Sequence, residues 1–209
     1  MTLPKNFNAH RLISIEDIFI LLSISSGIRI YGNTLNYNLT LIQEITKWDD
    51  EKVSFMPQDL VYRNGILYVL NVQEYLFIFE RVRMNNFEEK TLLSLEKVNQ
   101  MAMNRRLKIW RENIYIESLE DQQIYITEIQ KTPLSYDLVR YYKSYFSVAD
   151  WLISDRHLIV LFSRSMNVYE INKDPRTIKH LLNGISTNHI ENGISLQPLI
   201  KNHYVLVSL

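Results

Sequence analysis

Ile66-Leu67-Tyr68-Val69-Leu70-Asn71-Val72 is the stretch on which the reading of this chain turns. It is short, apolar and rich in β-branched and aromatic residues, which suits a pleated, buried strand. Directly before it, Leu60–Tyr62 is a second apolar piece, joined to it by Arg63-Asn64-Gly65. Asn and Gly tolerate the positive φ that tight hairpins need, so the two pieces are expected to fold back on each other. Runs of the same kind start at Ile18 (IFILLSI), Ile114 (IYIESL), Leu158 (LIVLF) and Tyr204 (YVLVSL), and successive starts are 48, 48, 44 and 46 residues apart. Each has its own short leader and polar connector: Glu16-Asp17, Arg111-Glu112-Asn113, Ser154 to His157, and Lys201-Asn202-His203.

Beyond each central run lies a third strand-like piece, at Ile28–Tyr31, Tyr75–Phe79, Ile124–Ile129 and Met166–Ile171. In Ile124–Ile129 and Val168–Ile171 an acidic residue sits between apolar ones, which predicts a strand covered on one face and wet on the other. A fourth apolar piece closes most units, as in Leu39–Ile45, Leu92–Val98 and Leu138–Tyr142. Four strands recurring at this period is the arithmetic of a propeller blade. The expected fold is all-β, a propeller-like array of four-stranded antiparallel blades, about four and a half in this chain. The blades are expected near residues 12–45, 60–98, 107–142, 151–182 and, in part, 199–209, within a single domain, with the central runs nearest the middle of the array. Helix competes at Asp174-Pro175 to Gly184, which has helix-like punctuation at both ends, and at Glu88–Met103, which reads as strand.

With these units in view, the chain resembles a divergent β-propeller of the tryptophan-aspartate-repeat kind, and its central strands are similar to the loosely patterned blades of citron-homology propellers. The resemblance spans nearly the whole sequence. It departs from the repeat pattern in three ways. No Gly-His pair opens a blade, Trp48-Asp49 follows a fourth strand instead of ending a third, and no double glycine occurs.

Composition narrows the function classes. The 209 residues carry 23 Lys plus Arg and 23 Asp plus Glu, so no global field draws the chain to nucleic acid or to an anionic membrane. Cysteine is absent, which excludes disulfides and thiolate metal sites and favours an intracellular setting, cytoplasm or nucleus. The longest apolar run is too short to cross a bilayer, and no membrane contact is expected. His10, His157, His180, His189 and His203 show no metal-ligand spacing, and the five glycines are isolated. No cofactor, metal or catalytic residue is therefore expected. Asp49-Asp50-Glu51, Glu88-Glu89 and Glu120-Asp121 fall in polar links and read as surface.

Two stretches stand out as binding candidates. Arg105, Arg106, Lys108, Trp110 and Arg111 form a basic and aromatic strand that suits phosphate backbones, stacked bases or an acidic peptide. Tyr204, Val205, Leu206, Val207 and Leu209 form an uncharged apolar strand that suits pairing at a sheet edge. That edge is expected to be completed by further chain, another subunit or a second copy. Tyr141, Tyr142, Tyr145 and Phe146 read as packing between blades. The expected function is a non-catalytic protein–protein interaction scaffold in a larger intracellular assembly, with other protein subunits as partners. The alternatives are nucleic-acid binding through the Arg105–Arg111 strand and an enzyme with a site in the central channel.

Overall fold

The structure is a computed structural model, and it describes residues 7–16, 18–33, 39–48, 53–72, 75–83, 86–95, 103–110, 113–120, 122–131, 136–144, 148–153, 157–162, 165–170, 179–186, 194–198 and 204–208. The described residues form strands and turns, with no helix. The first sheet holds β1 (Arg11–Ile15), β2 (Ile18–Ser23), β3 (Gly27–Asn33) and β4 (Leu39–Ile45), and the second β5 (Pro57–Arg63), β6 (Ile66–Asn71), β7 (Tyr75–Arg83) and β8 (Asn86–Ser94). The third holds β9 (Met103–Trp110), β10 (Asn113–Glu120), β11 (Gln123–Lys131) and β12 (Tyr136–Ser144), and the fourth β13 (Asp150–Ile153), β14 (His157–Leu161), β15 (Ser165–Glu170) and β16 (Lys179–Ser186). In each the strands are hydrogen-bonded in chain order, and β17 (Ile194–Pro198) and β18 (Tyr204–Ser208) make a two-stranded fifth. Within Asp174–Gly184, for which helix competes in the sequence, residues 179–184 belong to strand β16, whose backbone pairs with β15 from Glu170↔Lys179 to Ser165↔Ser186 with two register irregularities. Residues 171–178 lie outside the described residues.

The hairpin at Arg63↔Ile66 is closed by Asn64 and Gly65, whose φ values of 50° and 80° are those of a tight primed turn that matches the strand twist. Glu16 and Gln122, also at positive φ, occupy the tight turns at Ile15↔Ile18 and Glu120↔Gln123. Gly27, at φ 83°, approaches the next strand so closely that a Cβ there would lie 2.2 Å from the Ile45 carbonyl oxygen.

The chain divides into two compact units, Met1–Lys108 and Ile109–Leu209. In the first unit, Ile18, Ile20 and Leu22 of β2 pack with Ile28, Ile30, Leu67, Val69, Phe77 and Phe79. Trp48 caps this core, 5.0 Å from Phe77 and 5.5 Å from Phe79 between ring centroids. The opposite face of β2 is buried as well, with Leu21 against Phe7 and Tyr31. Burial on both faces is why the central run has no polar alternation. In the second unit, Tyr115, Ile124, Ile126, Trp151, Ile153, Leu158 and Val160 form the core. Here the expectation of a wet face on Ile124–Ile129 is corrected: Glu128 is 1% exposed.

Candidate functional site

The bulge between Pro57 and Asp59 turns the Asp59 side chain inward at the start of β5, and the residue is 4% exposed. Its Oδ1 accepts the Leu60 N–H at 2.8 Å and faces Arg11 Nε of β1 at 3.1 Å, while Oδ2 accepts the Leu107 N–H of β9 at 2.8 Å. One carboxylate thus joins the first strands of three successive sheets. Burial pushes its pKa above the ordinary 3.8, against the opposing pull of Arg11, the two N–H groups and Arg106. A carboxylate has about four lone-pair sites and three are occupied, which leaves one on Oδ2.

Below Asp59, Asn71 and Asn104 fasten the same region. Asn71 Oδ1 accepts the Met56 N–H at 2.6 Å and Nδ2 donates to the Ser54 carbonyl, and Asn104 Nδ2 donates to the Asn71 carbonyl at 3.1 Å. Both are buried.

The second unit has a buried acidic group of its own. Glu117 on β10 is 0% exposed and accepts the Trp151 indole N–H at 2.7 Å, and Glu128 on β11 accepts the Tyr115 hydroxyl at 3.2 Å. The register Glu117↔Ile126 and Tyr115↔Glu128 sets both carboxylates on one face of the sheet. Asp150, in β13, accepts the Trp151 N–H on Oδ1 at 2.8 Å, as Asp59 does from Leu60.

An open cleft of about 500 Å³ separates β4 and β8, lined by Gln43, Glu44, Lys47, Phe79, Phe87 and Glu88. The Gln43 amide spans it with two hydrogen bonds to the Phe87 backbone, at 2.8 and 2.9 Å. Among the described residues no group of three or more His, Asp or Glu is arranged to hold a metal ion.

The residues singled out in the sequence are placed as follows. Arg105, Arg106, Lys108 and Trp110 lie on β9 and are half-buried, Leu107 between them is buried, and Trp110 packs against the core of the second unit. Arg106 contributes to the field at Asp59. Arg111 lies outside the described residues. Tyr204–Ser208 forms β18, paired with β17 from Pro198↔Tyr204 to Ile194↔Ser208, and Leu209 lies outside the described residues. Tyr142 meets Tyr169 with ring centroids 5.1 Å apart and the rings tilted by 58°. Glu88 and Glu89 are exposed, while Asp49-Asp50-Glu51 and Asp121 lie outside the described residues.

Sequence reasoning passed over Asp59 and Glu117, each a lone acidic residue inside an apolar strand, and set Glu128 on a wet face. One signal was available for the first: Asp59-Leu60 and Asp150-Trp151 recur two repeat periods apart, in the leaders of the second and fourth units.

No protein-family profile and no curated protein match the chain. Solved structures do. The periplasmic gluconolactonase PpgL of Pseudomonas aeruginosa is similar at a TM-score of 0.60 and 10% identity, over 83% of this chain and 53% of that one. A putative 6-phosphogluconolactonase from Bacteroides uniformis is similar at 0.58 and 11% identity, over 81% of this chain and 52% of that one. The N-terminal domain of Nup159 is similar at 0.53 and 10% identity, over 96% of this chain and 62% of that one. The fold is of the β-propeller type. The chain spans about half the length of the two lactonase structures. Membership of the tryptophan-aspartate-repeat class is not supported, and Trp48 is explained by the core it caps.

These likenesses correct the expected function. A passive interaction scaffold was inferred from the absence of local catalytic motifs, yet two of the similar structures bear the names of lactonases. The expectation that the chain is no enzyme loses its support for the same reason. A local motif does not report such a meeting: Asp59 lies 48 residues from Arg11 and 48 from Leu107, and the three come together only through the fold.

Proposed function

We propose that the chain carries a hydrolytic site that opens small polar lactones, with Asp59 as the general base and Arg11 and Arg106 as the cations around it. The observation that carries this reading is the Asp59 carboxylate itself. It is buried, its pKa is raised by desolvation, two N–H groups hold its orientation, and one lone pair on Oδ2 is available to a water proton. A raised pKa makes the ionised form a stronger base than an ordinary aspartate. Water attacks the lactone carbonyl carbon as Asp59 takes its proton. The ring C–O bond of the tetrahedral intermediate then breaks, the proton passes to the leaving ring oxygen, and the product is an open hydroxy acid. Arg11 engages Asp59 through Nε, and its terminal nitrogens on a half-exposed side chain can meet the oxyanion that forms on the carbonyl oxygen. The names of the two similar lactonases support the choice of substrate class.

Gluconolactone hydrolysis, followed by acid release against the spontaneous rate, tests the reading. Wild-type chain is expected to exceed the background, and Asp59→Asn to lose about a hundredfold or more of that excess. A wild-type rate equal to background, or an Asp59→Asn rate equal to wild type, refutes it.

A further inference from the structure

β4 and β8 are the last strands of their sheets, so each has one edge outside the ladder of its own sheet. Phe87 shows what the β8 edge requires. It stands opposite Arg81 of β7, yet its own N–H and carbonyl point the other way, and the Gln43 carboxamide of β4 takes both, donating to the carbonyl at 2.8 Å and accepting from the N–H at 2.9 Å. A carboxamide is a peptide group carried on a side chain, and this reciprocal pair of bonds is the one that antiparallel strands exchange. Phe87 is 2% exposed, and buried backbone groups must be paired. Two residues on, Glu89 stands opposite Phe79 before the next irregularity, which puts its backbone in the same phase as that of Phe87. The regular edge of β8 is therefore short, Phe87–Glu89, and all of it lines the open cleft of about 500 Å³. That volume lies within the roughly 300–1,000 Å³ of ordinary ligand pockets.

We propose that this edge takes a short extended peptide with basic side chains, which enters the cleft as Gln43 swings out and pairs with β8 through one of its own peptide groups. The exchange is like for like. Phe87 keeps one donor and one acceptor partner, and the released carboxamide is hydrated at the mouth of the cleft, so opening leaves no backbone group stranded. Charge selects the ligand. Arg29 meets Glu44, at 2.6 Å, and with Lys47, Glu88 and Glu89 the charged groups at the cleft sum to a net negative wall, on which Glu88 and Glu89 are exposed. A basic peptide complements that wall and an acidic one is repelled by it. Directly before Gln43, Leu41 and Ile42 are 47% and 37% exposed, and Ile42 is the extra residue of the bulge opposite Ile30 and Tyr31. Apolar surface thus adjoins the acidic cleft, which suits a peptide in which basic and apolar residues alternate.

Fluorescence polarisation on the 209-residue chain, with a labelled, capped Lys-Val-Lys-Val-Lys peptide and its Glu-Val-Glu-Val-Glu counterpart, tests the site. The basic peptide is expected to saturate with a Kd on the order of 100 μM, and the acidic one to bind at least about tenfold more weakly. Gln43→Ala is expected to tighten the basic peptide about threefold, because it removes the closed state that competes with the ligand. In that variant the Phe87 amide should exchange quickly with solvent deuterium and be protected again by the peptide, which locates the binding. Replacing Glu88 and Glu89 together by Lys should reverse the preference between the two peptides. A basic peptide N-methylated on both Val residues and one N-methylated on its Lys residues separate strand pairing from plain charge attraction: a strand lends one edge, so one of the two should bind as the parent does and the other at least about tenfold more weakly. Asp59→Asn leaves all of this unchanged, since the cleft is independent of the lactone reading. No saturation in wild type or Gln43→Ala, equal affinity for the acidic peptide, parental affinity in both methylated forms, or no protection of the Phe87 amide overturns the proposal.

Discussion

Asp59 and Asp150 occupy the same place in two sheets and serve different ends. Each stands in a first strand, pairs across to the fifth residue of an apolar run or its counterpart (Leu70, Leu161), and gives Oδ1 to the next N–H in the chain. After Asp59 comes Leu60, which disappears into an apolar core, and the carboxylate itself makes the long-range contacts, to Arg11 and the Leu107 N–H. After Asp150 comes Trp151, and there the long-range contact belongs to the indole, which reaches Glu117. The same local turn of backbone thus positions an acid in one unit and an indole donor to an acid in the other. A repeat conserves the device, and the neighbouring side chain decides what the device is for.

The cores of the two units differ accordingly, and the largest expected effect is on the apolar one. Phe77→Ala deletes a fully buried ring that meets Trp48 and, at 4.8 Å, Phe55, and it should cost about 3–5 kcal/mol in urea unfolding. Trp151→Phe keeps most of the volume but removes the donor to buried Glu117, and should cost about 2 kcal/mol; Trp151→Phe with Glu117→Leu should recover part of that loss, and a double variant no better than the single one would mean the contact is not what the indole contributes. For Asp59 the sharper readout is pH. Its folded pKa lies above the unfolded value, so between the two the fold holds a proton that the unfolded chain has released. The associated stability is full below the ordinary 3.8 and is lost as pH rises through the folded pKa. Wild type should therefore gain stability relative to Asp59→Asn as the solution is acidified from neutrality, and a gap that stays flat would show that the carboxyl is not destabilised by burial. The smallest effect separates the two turn glycines. Gly65→Ala meets nothing within 4 Å and should cost only about 1 kcal/mol for its positive φ, whereas Gly27→Ala, which adds a clash with the Ile45 carbonyl, should cost more in the same melt.

Strand positions and most turns were legible in the sequence because their causes are local. Ile66–Val72 is apolar on both sides because both faces of β6 are covered, Leu67 and Val69 being buried on one and Leu70 on the other, and Asn64-Gly65 marks its hairpin because those residues accept the φ the turn requires. The superperiod was legible for the same reason, repeated at each unit. Within Asp174–Gly184, where helix competed, residues 179–184 are strand because they pair with β15. Glu128 was misjudged because alternation along one strand says which residues share a face and not whether that face meets water.

What the sequence determined by itself, then, is an array of antiparallel hairpins with four-stranded units, since turn chemistry and side-chain period act over a few residues. What only the tertiary structure decided is which polar groups meet. Asp59 finds the Leu107 N–H through the approach of β9 to β5, Glu117 finds Trp151 through the packing of β13 on β10, and Phe7 covers Arg29 because the chain before β1 crosses β3. Each meeting joins residues more than twenty positions apart. No propensity encodes such distances; they follow from strand register and from sheets packing face to face, and the desolvation that alters Asp59 exists only once that packing is complete.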